Sequence, residues 1–245
     1  MRTMKTLALA TALGLTLTGA ALAESRNFDV KDFDRIDIST GIDAVVTIGD
    51  RFAVSADSAS ADALQNLRVD VSGGVLKASF DQSFLDFIIS GGLVGMLLSN
   101  GNAITVDITM PAVAGISTSS GADVRASGLK SNKLDLDASS GSDITLSQAA
   151  LGAVRASASS GANMELSGTC ETIDAEASSG SGISAGDLVC ENATVEVSSG
   201  ADIEVHATGT LKAEASSGGD VDVAGRPTRT DFESSSGGDV SFEEE

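Results

Sequence analysis

Seven copies of Ser-Ser-Gly punctuate the C-terminal half of this chain, with their glycines at Gly121, Gly141, Gly161, Gly180, Gly200, Gly218 and Gly237. The intervals are 20, 20, 19, 20, 18 and 19 residues. A near-constant period of this length marks a solenoid, whose units bury their apolar side only by stacking on their neighbours. The pattern inside one unit decides which solenoid. Before the glycine, apolar residues alternate, as in Leu134, Leu136, Ala138, in Ile173, Ala175, Ala177 and in Leu211, Ala213, Ala215. After it a second alternation begins at the third residue: Val124, Ile144, Met164, Ile183, Ile203, Val221 and Val240. A spacing of two is the strand period. Each unit therefore reads as two short strands joined at a Ser-Ser-Gly corner, where glycine takes a positive φ. Stacked copies give an all-β fold, a parallel β-helix with about 19–20 residues per repeat, on the order of 34 Å long for seven rungs.

A degenerate copy lies upstream, where Ile36 and Ile38 precede Gly41 and Asp43 and Val46 follow at the repeat's offsets, so the winding is expected to begin there. Residues 24–112 read as an irregular N-terminal part of the solenoid with an apolar insertion over 81–102, and residues 113–245 as the regular repeats. Residues 1–23 read as a signal peptide, because Arg2 and Lys5 precede an apolar run that ends in the small-residue cleavage signature Ala21-Leu22-Ala23. Export is expected, to the periplasm, the outer-membrane surface or the extracellular space. No later stretch has the roughly 20 apolar residues of a spanning helix. Without the leader the chain carries 13 basic and 35 acidic residues, a net charge of −22. Such a polyanion is repelled by nucleic acid and by anionic headgroups, which leaves cationic partners and divalent ions.

The exported start, the irregular N-terminal strands, the transition "ITVDITMPAVAGISTSSGADV" and the Ser-Ser-Gly repeats together resemble the bacterial family described as "putative auto-transporter adhesin, head GIN domain". The resemblance covers nearly all of the chain after the leader. It implies a right-handed parallel β-helix with glycine-centred turns, similar in shape to pectin lyases but without their catalytic residues. It also implies a role in cell adhesion. A fold shared with lyases does not carry lyase chemistry with it.

Candidate site residues follow from the repeat. An acid sits two places after most of the glycines, at Asp123, Asp143, Asp202, Asp220 and Asp239, with Asn163 and Gly182 interrupting the series. Pointing outward on successive rungs, these carboxylates form a candidate ladder for a hard divalent cation such as calcium. Asp and Asn also favour tight turns for purely local reasons. Adjacent rungs bring carboxylates near the roughly 5 Å separation of retaining glycosidases, which keeps a carbohydrate-active enzyme as the alternative. Against it, no pair is singled out by burial, the chain has no Trp or Tyr to stack on a sugar, and His206 is its one histidine. Serines without a His or Lys partner are not nucleophiles, and the repeat hydroxyls are expected to satisfy one another and the backbone at the corners. No catalytic residue is assigned.

Cys170 and Cys190 lie nine and ten residues after Gly161 and Gly180, at nearly the same place on adjacent rungs, and are expected to form a disulfide. The segment "FLDFIISGGLVGMLL", residues 84–98, ignores the repeat and holds a single charge, Asp86. It reads either as a cap over apolar core or as a contact surface anchored by Phe87, Ile88, Ile89, Leu93, Met96 and Leu97. The expected function is a non-catalytic adhesion or scaffold module of the cell envelope. Its partner would be a surface component, a glycan or a protein, or another copy of the chain.

Overall fold

A computed structural model describes residues 24–80 and 104–243. The N-terminal strands are β1 (Glu24–Phe28), β2 (Arg35–Ser39), β3 (Ile42–Ile48) and β4 (Ala53–Ser58). A short helix, α1 (Ala61–Asn66), follows, and its N-cap Ser60 accepts a hydrogen bond from the Ala63 amide. Next come β5 (Leu67–Ser72), β6 (Val75–Phe80), β7 (Ile104–Met110), β8 (Gly115–Ser119), β9 (Asp123–Ser127) and β10 (Lys130–Ser139). Four long strands build the middle: β11 (Asp143–Ser159), β12 (Asn163–Ser178), β13 (Gly182–Ser198) and β14 (Asp202–Ala215). The chain closes with β15 (Asp220–Ala224), β16 (Arg229–Ser234) and β17 (Asp239–Phe242).

The rungs stack in parallel and in register, as a β-solenoid. On the face before each corner the inward column reads Leu136, Ala156, Ala175, Val195, Ala213. On the face after it the column reads Ile144, Met164, Ile183, Ile203, Val221. These Ala, Val, Leu and Ile side chains fill one thin continuous core, each 3% exposed or less. The unit differs from two short strands. Each of β11 to β14 runs for 14 to 17 residues from one Ser-Ser-Gly corner toward the next. The strand bends midway at a bulge, seen as register shifts between Leu146 and Ala149, Glu165 and Gly168, and Ala185 and Val189. A bulge bends the strand at the cost of a local break in the ladder, and a left-handed residue seven places after the corner glycine recurs there, at Gly128, Gln148, Gly168 and Gly225.

The corners answer why Ser-Ser-Gly is repeated. Two consecutive residues, and not the glycine alone, take left-handed backbone: Ser140 has φ 57° and Gly141 67°, and the same pairing holds at every copy. The serine carbonyl then accepts from the glycine amide one rung away, as in Gly141 N–H to Ser160 O at 3.2 Å and Gly180 N–H to Ser199 O at 3.2 Å. The ladder therefore continues around the turn. The residue after the glycine points inward and is always small. Where it is serine it is buried and bonded: Ser142 Oγ lies 2.9 Å from Thr118 Oγ1, and Ser181 donates to the Ala158 carbonyl at 2.9 Å.

The rungs do not stack in chain order. The β2–β3 rung pairs on one side with β8–β9 and on the other with β6–β7, so it is the first rung in the chain but not the outermost in the stack. A parallel edge accepts a rung from whichever segment presents the right register, and β6–β7 returns to close the outer side of β2 and β3. The proposed contact residues Phe87, Ile88, Ile89, Leu93, Met96 and Leu97, and the leader 1–23, lie outside the described residues.

The N-terminal end is closed by antiparallel pairing, β4 on β7, β1 on β4 and β5 on β6. The helix α1 adds buried Ala63 and Leu64 over the core. Cys170 and Cys190 sit opposite each other on adjacent rungs and form a disulfide, with a Cα separation of 4.5 Å.

Candidate binding face

Parallel register turns any residue type kept at one offset into a column on the surface. The acids two places after each glycine align with Asp43 into one such column: Asp43, Asp123, Asp143, Asn163, Gly182, Asp202, Asp220, Asp239. All point outward. Asn163 Nδ2 donates to Asp143 Oδ1 at 3.1 Å, and Arg125 lies 3.6 Å from Asp123. Among the described residues no three His, Cys, Asp or Glu side chains converge as a metal cage. His206 Nδ1 lies 3.2 Å from the Gly186 carbonyl, a distance at which it donates to the backbone.

A second acidic column, four places before the glycine, escaped the reading of the repeat. It comprises Asp37, Ser117, Asp137, Ser157, Glu176, Glu196, Glu214 and Glu233. Its signal is plain in "LDLDASSG", "IDAEASSG" and "TVEVSSG", where an acid recurs at fixed distance from the corner. Beside it, nearer the corner, runs a serine column. Together Asp137, Glu176, Glu196 and Glu214 with Ser139, Ser159, Ser178, Ser198 and Ser216 line an open groove of about 690 Å³ that crosses five rungs. A smaller groove of about 560 Å³ lies on the face after the corner, between Asp143, Thr145, Asn163, Glu165, Ser184, Asp187 and Glu204.

Cations are threaded through the first face. Arg155 pairs with Glu176 at 2.8 Å and Lys212 with Glu214 at 2.8 Å. Arg35 Nη2 reaches across the β8 rung to Asp135 Oδ2 at 2.7 Å. Gly115 makes that reach possible, since a Cβ there would stand 2.8 Å from Arg35 Nη1.

Neighbouring carboxyls on this face titrate in opposite senses. Asp135 is held below the ordinary range, first by its hydrogen bond from Arg35. Asp137 is held above it, first by loss of solvent and then by the charge of Asp135. Asp123 is raised by desolvation and then by Asp43 and Asp143; Glu204 is raised by desolvation and then by Glu243 and Asp187. Burial thus sets some carboxylates apart, which the alternation alone did not show, but it does so on three separate rungs.

A raised carboxyl holds its proton more tightly in the fold than in the unfolded chain, so acidification from neutrality to about pH 4 adds stability. The Asp135 contribution has the reverse sign: it is complete above about pH 4 and is lost as pH falls through the depressed folded value. The melting temperature is therefore expected to rise from about pH 7 to about pH 5 and to fall in stronger acid. Thermal melts at constant ionic strength check this, and a decrease between neutrality and weak acid would contradict it.

The comparisons with known proteins agree with this architecture. The model of the family described as "putative auto-transporter adhesin, head GIN domain" matches residues 32–227. This chain belongs to that family. The head GIN description implies an exported or surface protein. A crystal structure described as a putative adhesin from Bacteroides fragilis superposes with a TM-score of 0.79 at 19% identity, covering 91% of this chain and 98% of its own. One described as a putative lipid binding protein from Parabacteroides distasonis gives 0.68 at 17% identity, covering 91% and 97%. A further one, described as a putative adhesin from Parabacteroides merdae, gives 0.67 at 14% identity, covering 91% and 96%. At these identities the likeness establishes the shared fold. No curated protein matches the chain. Among the described residues of this head GIN protein, no helix is long and apolar enough to cross a membrane.

Proposed function

We propose that the protein is a non-catalytic adhesion or scaffold module of the cell envelope that binds an extended surface component along the side of its rod. The observation that carries the reading is the five-rung groove, which offers the same acid and serine on nearly every rung. Rungs about 4.8 Å apart present equivalent weak contacts in series, which suits a chain-like ligand better than a compact one. The raised carboxyls Asp123, Asp137 and Glu204 lie on separate rungs, and Asp135, the depressed neighbour of Asp137, is engaged by Arg35 at 2.7 Å instead of standing free as a partner base. The family description favours adhesion, and the leader at residues 1–23 fits export.

The test compares the immobilised protein with a variant in which Glu176, Glu196 and Glu214 are replaced by Gln. Both are challenged with envelope fractions, a glycan array and lipid vesicles. Saturable retention of one component by the wild type is expected, weakened about tenfold or more by the triple change while the melt stays cooperative. Failure to retain any component above a control protein would sink the proposal. New sugar ends released from a bound polysaccharide would replace it with the enzyme reading.

A further inference from the structure

The two ends of the rod are closed differently. At the N-terminal end β1, β4, β5 and α1 cover the last rungs. At the C-terminal end β16 is exposed along its whole length, and Phe232 and Phe242 are 48% and 40% exposed. Both phenylalanines stand in core columns, directly above Ala213 and Val223, which are fully buried. Their rings meet edge to face, with centroids 5.9 Å apart. An apolar rung end with open strand edges needs a cover, as solenoid termini do in general.

We propose that this end is the contact between two copies of the chain, related by a two-fold axis through the corner at Gly237. Three observations point to a second copy. First, β16 runs toward that corner and β17 away from it. Rotation about the corner lays β16 of each copy antiparallel along β17 of the other, closing both open edges in one operation. A single strand from another protein could close only one. Second, a residue before Gly237 then faces the residue equally far after it in the second copy. Phe232 and Phe242 are each five places from Gly237, and Ser234 and Val240 each three, so inward residues meet inward residues. Third, the four phenylalanines continue the same core columns that join the internal rungs. The patch is thus self-complementary, as a two-fold contact requires.

The outward residues set the strength. Glu233 faces Ser241 and Ser235 faces Asp239, but Asp231 faces Glu243 on both sides of the axis. Two like-charge pairs oppose association, so salt should strengthen it. The contact leaves the side of the rod free, and it stands or falls separately from the adhesion proposal.

Sedimentation equilibrium on the purified full chain, from about 1 to 200 µM, is the test. A monomer–dimer equilibrium with no larger species is expected, with Kd falling about tenfold as sodium chloride rises from roughly 0.05 to 0.5 M. Phe232→Asp should weaken the dimer by about a hundredfold or more. Asp231→Lys, an outward and exposed change, should instead tighten it and reverse the salt dependence, and it serves as the reading if Phe232→Asp fails to fold. A monomer at the highest concentration and salt, an open-ended series of species, or a dimer indifferent to both substitutions would overturn the proposal.

Discussion

Replacing Gly168 with alanine is expected to destabilise the solenoid by roughly 3–5 kcal/mol, the largest single-methyl effect in the described chain. Gly168 sits at the midway bend of β12 with φ 131°, paired with Ala149 of the neighbouring rung. An added Cβ would fall on the Ala149 carbonyl oxygen and 2.5 Å from the Ala149 nitrogen. Both are backbone atoms held in the ladder, so no side chain can move aside. Gly141 is the control. It too has a positive φ, 67°, but a Cβ there meets nothing within 4 Å. Gly141→Ala therefore carries only the backbone strain of about 1–2 kcal/mol. At a few degrees per kcal/mol for a chain of this size, the two variants should melt roughly 5–10 °C apart. Equal losses would mean that the bend relaxes and that rung contact at Gly168 is not what demands glycine.

Loss of the Cys170–Cys190 bridge is the second large expected effect. The bond closes a loop of sequence separation 20, for which chain entropy in the unfolded state gives about 3 kcal/mol. Cys190 is 1% and Cys170 9% exposed, so reductant should act slowly on the folded rod and quickly once it opens. Replacing both cysteines with alanine is the cleaner variant, because reduction leaves two thiols in the core. The variant is expected to melt several degrees below the wild type, with the deficit vanishing when both are measured under full reduction. An intact wild type that titrates two free thiols would show that the bond does not form after export.

Much of the architecture was legible in the chain because a solenoid writes its own register. The offsets of Asp123, Asp143 and Asp202 from their glycines predict the column that the parallel pairing produces, and the near-equal offsets of Cys170 and Cys190, nine and ten, become a direct pairing because the register shift after Glu165 absorbs the extra residue. The second acidic column, Asp137, Glu176, Glu196 and Glu214, is equally periodic in the chain, but only the stacked rungs show that it lines one groove with the serines beside it. The residue just after all but the last of the Ser-Ser-Gly glycines is buried although it lies in a polar turn. Ala122, Ser142 and Ala162 look like ordinary turn residues until Ser142 is seen bonded to Thr118 in the core.

Other features had a weak local signature or none. The left-handed residue at the midway bend is glycine at Gly128, Gly168 and Gly225 but glutamine at Gln148, too irregular a mark to show that the repeat is one bent strand and not two short ones. The positive φ of Ser140 beside Gly141 arises because the corner must return both neighbouring strands to the ladder, a demand made by the adjacent rungs and not by serine's own preference.

What the chain determined by itself is therefore the rung: its period, its inward and outward faces, its corner residues and the partners that register brings together. These depend on alternation and spacing, which are local and repeated. Only the tertiary structure decided the order in which rungs stack, placing β2–β3 inside β6–β7. It alone placed Arg35 across Gly115 onto Asp135, raised Asp137 beside them, and left Phe232 and Phe242 uncovered at the C-terminal end. Each of these depends on which segments become neighbours and on which edge is left without one, and that information is carried by long-range packing.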